Sequence, residues 1–139
     1  LHATASGLCA LAFGPEMLMD VALNDLQPFT DTTATTSQDL DAIIKTVRNT
    51  GFGRADRSFE NEVQGLSAPI FDQTGHFAGA ISVASVAARF TPDLERIIKT
   101  HLVIAARQIS NNWGGTLPAH IETIWAKHPT PTHTLETAS

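Results

Sequence analysis

Apolar and polar positions alternate along this chain with two different periods, and the change between them falls near Phe52. Residues 4–13 (TASGLCALAF) are small and apolar, as in a buried helix, and Gly14-Pro15 then breaks the pattern. A second helix is predicted from Pro15 to about Asn24, with Met17, Leu18, Val21 and Ala22 at helical spacing. Residues 25–36 hold Pro28 and five threonines and read as loop. Ser37 then looks like the N-cap of a helix whose stripe is Leu40, Ile43, Ile44 and Val47, closed by Gly51 as a left-handed cap.

Beyond Phe52 the period moves towards two. Residues 63–71 and 77–84 read as strands, and the connector Asp72-Gln73-Thr74-Gly75-His76 carries the chemistry of a hairpin turn. Their many small residues, Gly65 and Ala84 among them, leave room for a ligand or another backbone to approach. Thr91-Pro92 opens a long helix with Thr as N-cap and Pro at the first position, running to Trp113 before Gly114-Gly115 stops it. Trp113 is expected in the core. Residues 116–139 read as a Thr/Pro-rich tail, with a short helix at 119–127 and disorder beyond it. The order, three helices, three strands and a helix, gives one α+β domain over 1–115, helices packed on an antiparallel sheet. Two convincing strands make a marginal sheet, so further strands are expected from outside the chain.

Composition narrows the function. The chain has 139 residues and a net charge of −5, with no basic cluster, so DNA contact is expected only through a domain outside this chain. No apolar run approaches the ~20 residues that span a bilayer, and the first residues given lack the basic, apolar and small-residue pattern of a signal peptide. One cysteine, Cys9, excludes an internal disulfide and suits the cytoplasm. Lying in LCALAF, Cys9 reads as a small buried hydrophobe rather than a nucleophile. Of the six histidines only His128 and His133 have ligand-like spacing, and they sit in the tail, so neither a metal nor a cofactor is expected. Asp56, between Arg54 and Arg57, reads as a surface ion-pair partner.

Five segments, in order, resemble the effector-binding domain of IclR-type transcription regulators: Leu1-His2-Ala3-Thr4-Ala5-Ser6-Gly7, the Gly51-Phe52 helix exit, Ala68-Pro69-Ile70-Phe71-Asp72, Ala80-Ile81-Ser82-Val83 and Arg89-Phe90-Thr91-Pro92. The resemblance implies a GAF-like (profilin-like) curved antiparallel sheet whose first strands are absent here, so that the chain is a fragment of a longer one. It also implies a separate winged helix-turn-helix, assembly as a homodimer or dimer of dimers, and a small-molecule effector.

In relatives that take oxo-acids the ligand carboxylate meets backbone N–H groups, which by this resemblance fall at Ala5, Ser6 and Gly7. The family's Asp position falls at Ala55, with Asp56 adjacent. Its thiol position falls at Gly65, and its two serines at Ser82 and Ala84. With three of four polar side chains lost or shifted, the effector is expected to be an organic acid or aromatic compound larger or less polar than glyoxylate or pyruvate. Two other readings remain at this point: a stand-alone GAF-like sensor or interaction module, and a small enzyme using Cys9.

Overall fold

The computed structural model describes residues 1–127. In chain order these form α1 (Ala5–Phe13), α2 (Met17–Leu23), α3 (Ser37–Thr50), β1 (Gly53–Asp56), β2 (Val63–Phe71), β3 (Phe77–Val86), α4 (Pro92–Asn112) and α5 (Ala119–Trp125). The tail expected to be disordered, with His128 and His133, lies outside the described residues.

The sheet is antiparallel with order β1-β2-β3, so the predicted hairpin gains a third strand within the chain. Its turn is held by Asp72, whose Oδ1 accepts from Thr74 N at 2.9 Å and His76 N at 3.1 Å, while Gly75 takes φ 79°. The central strand β2 is buried on both faces. Ser67 of β2 meets Ala5 and Cys9 of α1 on one face, whereas Leu66 and Ala68 pack with Leu102, Val103 and Ala106 of α4 on the other. Successive strand residues point to opposite faces, so α1 and α4 sandwich the sheet. A second cluster joins α1 to α3 through Leu8, Leu11, Leu40, Ile44 and Val47.

Helix ends follow local chemistry. Thr91 Oγ1 accepts from Leu94 N at 3.1 Å, with Pro92 in the first turn, and Gly51 closes α3 at φ 78°. The cap of α3 is Thr36 rather than Ser37. Thr36 is the last extended residue, and its Oγ1 reaches Asp39 N at 3.1 Å. In α2 the helix begins at Met17, after Pro15, and the expected stripe fails: Met17 and Val21 are exposed and Ala22 is the buried residue. Trp113 is also exposed, as the C-cap residue of α4 just before Gly114-Gly115. The buried tryptophan is instead Trp125 of α5, which packs with Ile121 into the α4 face of the core.

Candidate functional site

Sheet register builds the site. Ala55 of β1 pairs with Gly65 of β2, and Gly65 pairs with Ala84 of β3, so three small residues form one row across the sheet. The next row is Gly53, Ser67 and Ser82. Both rows face α1. The start of α1 lies directly over them. A methyl group on Gly53 would fall on the Ala5 carbonyl and Ser67 Oγ, and one on Gly65 would stand 3.3 Å from Ala5 Cβ.

Between these walls is a cavity of about 250 Å³ lined by Ala3, Thr4, Ala5, Ser6, Ala55, Phe59, Glu60, Val63, Gly65, Ser82, Val83 and Ala84. Six residues picked out from the sequence therefore meet there: Ala5, Ser6, Ala55, Gly65, Ser82 and Ala84. Two do not line it. The Gly7 N–H is already taken by Thr4 Oγ1 at 3.2 Å, which caps α1. Asp56 follows Ala55 on β1 and so faces the other way, where its carboxylate accepts from Gln64 Nε2 at 2.5 Å and pairs with Arg54 at 3.4 Å. The expected ion-pair role of Asp56 thus agrees with its placement. The helix start leaves the N–H groups of Ala5 and Ser6 without partners among the described residues, next to the cavity.

Phe59, Glu60 and Val63 escaped the sequence reading because they lie in or beside the β1–β2 loop, where no periodicity marks a face. Two cues were readable: Thr4 as the N-cap of an apolar helix, and the run of threonines at 30–36, whose role appears only in three dimensions. Thr30 Oγ1 donates to the Arg57 carbonyl at 2.6 Å and Thr32 Oγ1 to that of Asp56 at 3.0 Å. Thr33 Oγ1 donates to Ser58 O, and Ser58 Oγ donates to Ala3 O at 2.5 Å. The loop that carries Phe59 and Glu60 is thereby tied to both the threonine segment and the chain entering α1.

Cys9 lies under the second row, fully buried, with its Sγ 3.0 Å from Ser67 Oγ. Burial pushes its pKa up to about 11, against which the Ser67 hydrogen bond acts only in part. A thiol held protonated is a poor nucleophile. Among the described residues no cluster of His, Cys, Asp and Glu is arranged to hold a metal ion, and no helix is long and apolar enough to cross a membrane.

Sequence comparison matches residues 1–111 to the C-terminal family of bacterial IclR transcriptional regulators. The chain belongs to this family. As an IclR C-terminal domain it is similar to a protein of Silicibacter sp. TM1040 assigned as an IclR transcriptional regulator. That match has a TM-score of 0.79 and 35% identity, and covers 86% of this chain and 47% of the other. It is similar also to the IclR of Thermotoga maritima, with a TM-score of 0.75 and 30% identity over 81% of this chain and 47% of that one. The chain therefore spans about half the length of these regulators. A double mutant of the inducer-binding domain of PobR from Acinetobacter, solved with 3-hydroxybenzoic acid, shares the fold at a TM-score of 0.70 and 20% identity, over 78% of this chain and 64% of that one. No curated protein matches the chain. The IclR proteins it matches are transcriptional regulators rather than enzymes.

Proposed function

We propose that the cavity between the start of α1 and the sheet binds a small organic effector bearing a carboxylate, larger or less polar than glyoxylate or pyruvate. The observation that carries this reading is the lining itself. Ala55, Gly65 and Ala84 form an apolar floor beside the unpaired N–H groups of Ala5 and Ser6, with Ser82 as a further hydrogen-bonding group. Unpaired N–H groups at a helix start favour an anion, and apolar small residues leave volume for a hydrocarbon or aromatic body. The 3-hydroxybenzoate-bound double mutant of the PobR domain offers a fold-level precedent for an acid of that size.

In the full-length protein, effector binding would favour one arrangement of subunits in a homodimer or dimer of dimers. A separate winged helix-turn-helix would read out that arrangement on DNA in the cytoplasm. Only a difference in effector affinity between the two arrangements can do this.

Thermal unfolding with aromatic acids, longer oxo-acids and glyoxylate tests the reading. A ligand at ~100 times its dissociation constant adds about 2.7 kcal/mol of stability. A shift with an aromatic or long-chain acid that disappears in Gly65→Leu, which fills the cavity, is the expected result. Tight binding of glyoxylate, or shifts that survive Gly65→Leu, would overturn it.

A further inference from the structure

Among the described residues, Glu60 is the only ionisable side chain that lines the cavity, and no basic residue lines it. The nearest arginine along β1, Arg54, is on the opposite face and engaged with Glu95 at 2.8 Å. Arg57 lines a different cleft, with Asn61 and Glu62. A simple organic anion seated at the start of α1 would therefore share the cavity with an unneutralised carboxylate.

The loop that carries Glu60 is tied down on its N-terminal side. The loop ahead of it is held at Asp56, Arg57 and Ser58 by hydrogen bonds from Thr30, Thr32 and Thr33, and Ser58 is hooked to Ala3. Arg57 takes φ 58°, a left-handed backbone that a non-glycine residue adopts only when its surroundings impose it. Phe59 is braced from outside by Phe29, with ring centroids 4.9 Å apart, and Phe29 in turn lies 5.8 Å from the His2 ring. The loop so held carries Phe59 and Glu60, both of which line the cavity.

We infer that Glu60 selects an effector carrying a cationic amine as well as a carboxylate, with the amine paired to Glu60 and the carboxylate at Ala5 and Ser6. The inference rests on the reading of this cavity as the effector site. A zwitterion satisfies both ends of the cavity, places its apolar body against Phe59 and Val63, and removes the repulsion that a plain acid meets. Glu60 is exposed without ligand, so the gain is that of a solvent-facing ion pair rather than a buried one.

Isothermal titration of the chain with benzoate and with para-(aminomethyl)benzoate tests this directly, since the two differ by one charged amine. The wild type is expected to prefer the aminated acid by about fivefold, the upper end for an exposed ion pair. Glu60→Gln is expected to abolish that preference while binding benzoate at least as well. Glu60→Lys should reverse it. Equal affinities in the wild type, or a preference that Glu60→Gln leaves intact, would overturn the role of Glu60. If in those cases Gly65→Leu still abolishes binding of both probes, the cavity remains the effector site and only this inference falls. Absence of binding by either probe to the wild type, or binding that Gly65→Leu leaves unchanged, overturns both.

Discussion

Trp125 Nε1 donates to the carbonyl of Gly51 at 3.2 Å, tying the last described helix to the left-handed cap that ends α3. The indole is fully buried and its ring lies 6.5 Å from that of Phe52. Arg107 of α4 stands 5.9 Å above the indole and also pairs with Glu122 of α5. Residues past the Gly114-Gly115 stop thus complete the core on the α4 face.

Trp125→Ala is expected to cost about 3–5 kcal/mol, because it leaves a large cavity and an unpaired Gly51 carbonyl. Trp113→Ala, at an exposed position, should change stability by no more than about 0.5 kcal/mol. Urea unfolding of the two variants checks the contrast. Similar losses in both would contradict the placement of α5.

Cys9 should be inert to thiol reagents in the native protein near neutral pH and react only as the chain unfolds. Its folded pKa of about 11 exceeds the ordinary 9.0, so the protonated thiol stabilises the fold fully below pH 9.0, and that stability is lost as pH rises through about 11. The contribution is on the order of 2–3 kcal/mol at 1.36 kcal/mol per unit. Cys9→Ala should therefore flatten the alkaline limb of the stability profile. An unchanged limb would count against it.

The threonine clamp gives a second, local prediction. Thr33→Val keeps the shape of the side chain but strands the buried Ser58 carbonyl, at a cost of about 1–3 kcal/mol. Amide hydrogen exchange should rise chiefly across residues 57–62. Uniform protection with and without Thr33 would mean that the loop is held by other contacts.

Glu95 supplies an acid-side test. Burial raises its pKa, but hydrogen bonds and charges from Arg54 at 2.8 Å and Lys99 at 3.2 Å outweigh that and hold it below the ordinary 4.5. A depressed carboxylate stabilises the fold above its unfolded pKa, and the benefit fades as pH falls through the lower folded value. The pair is partly exposed, so the effect is no more than about 1 kcal/mol. Denaturation midpoints measured below and above pH 4.5 should converge between wild type and Glu95→Gln only on the acid side.

What the sequence determined by itself is local. Thr91-Pro92, Gly51 and Asp72 through Gly75 mark the element boundaries because capping and turn chemistry act over a few residues, and those boundaries appear as read. The family resemblance also pointed to Ala5, Ser6, Ala55, Gly65, Ser82 and Ala84, which line the cavity, and to Gly7 and Asp56, which do not. Only the tertiary structure decided which of the residues so picked out share a cavity and which others join them, since strand register and the threonine clamp join positions dozens of residues apart. It placed Ala55, Gly65 and Ala84 in one row, turned Asp56 away by the alternation of β1, and brought Phe59 and Glu60 in on a loop with no pattern of its own. It also chose between the tryptophans. Both are large and apolar, but Trp125 packs against Gly51 and Phe52 in the core while Trp113 lies at the exposed end of α4, a difference written in how α4 and α5 pack rather than in either residue.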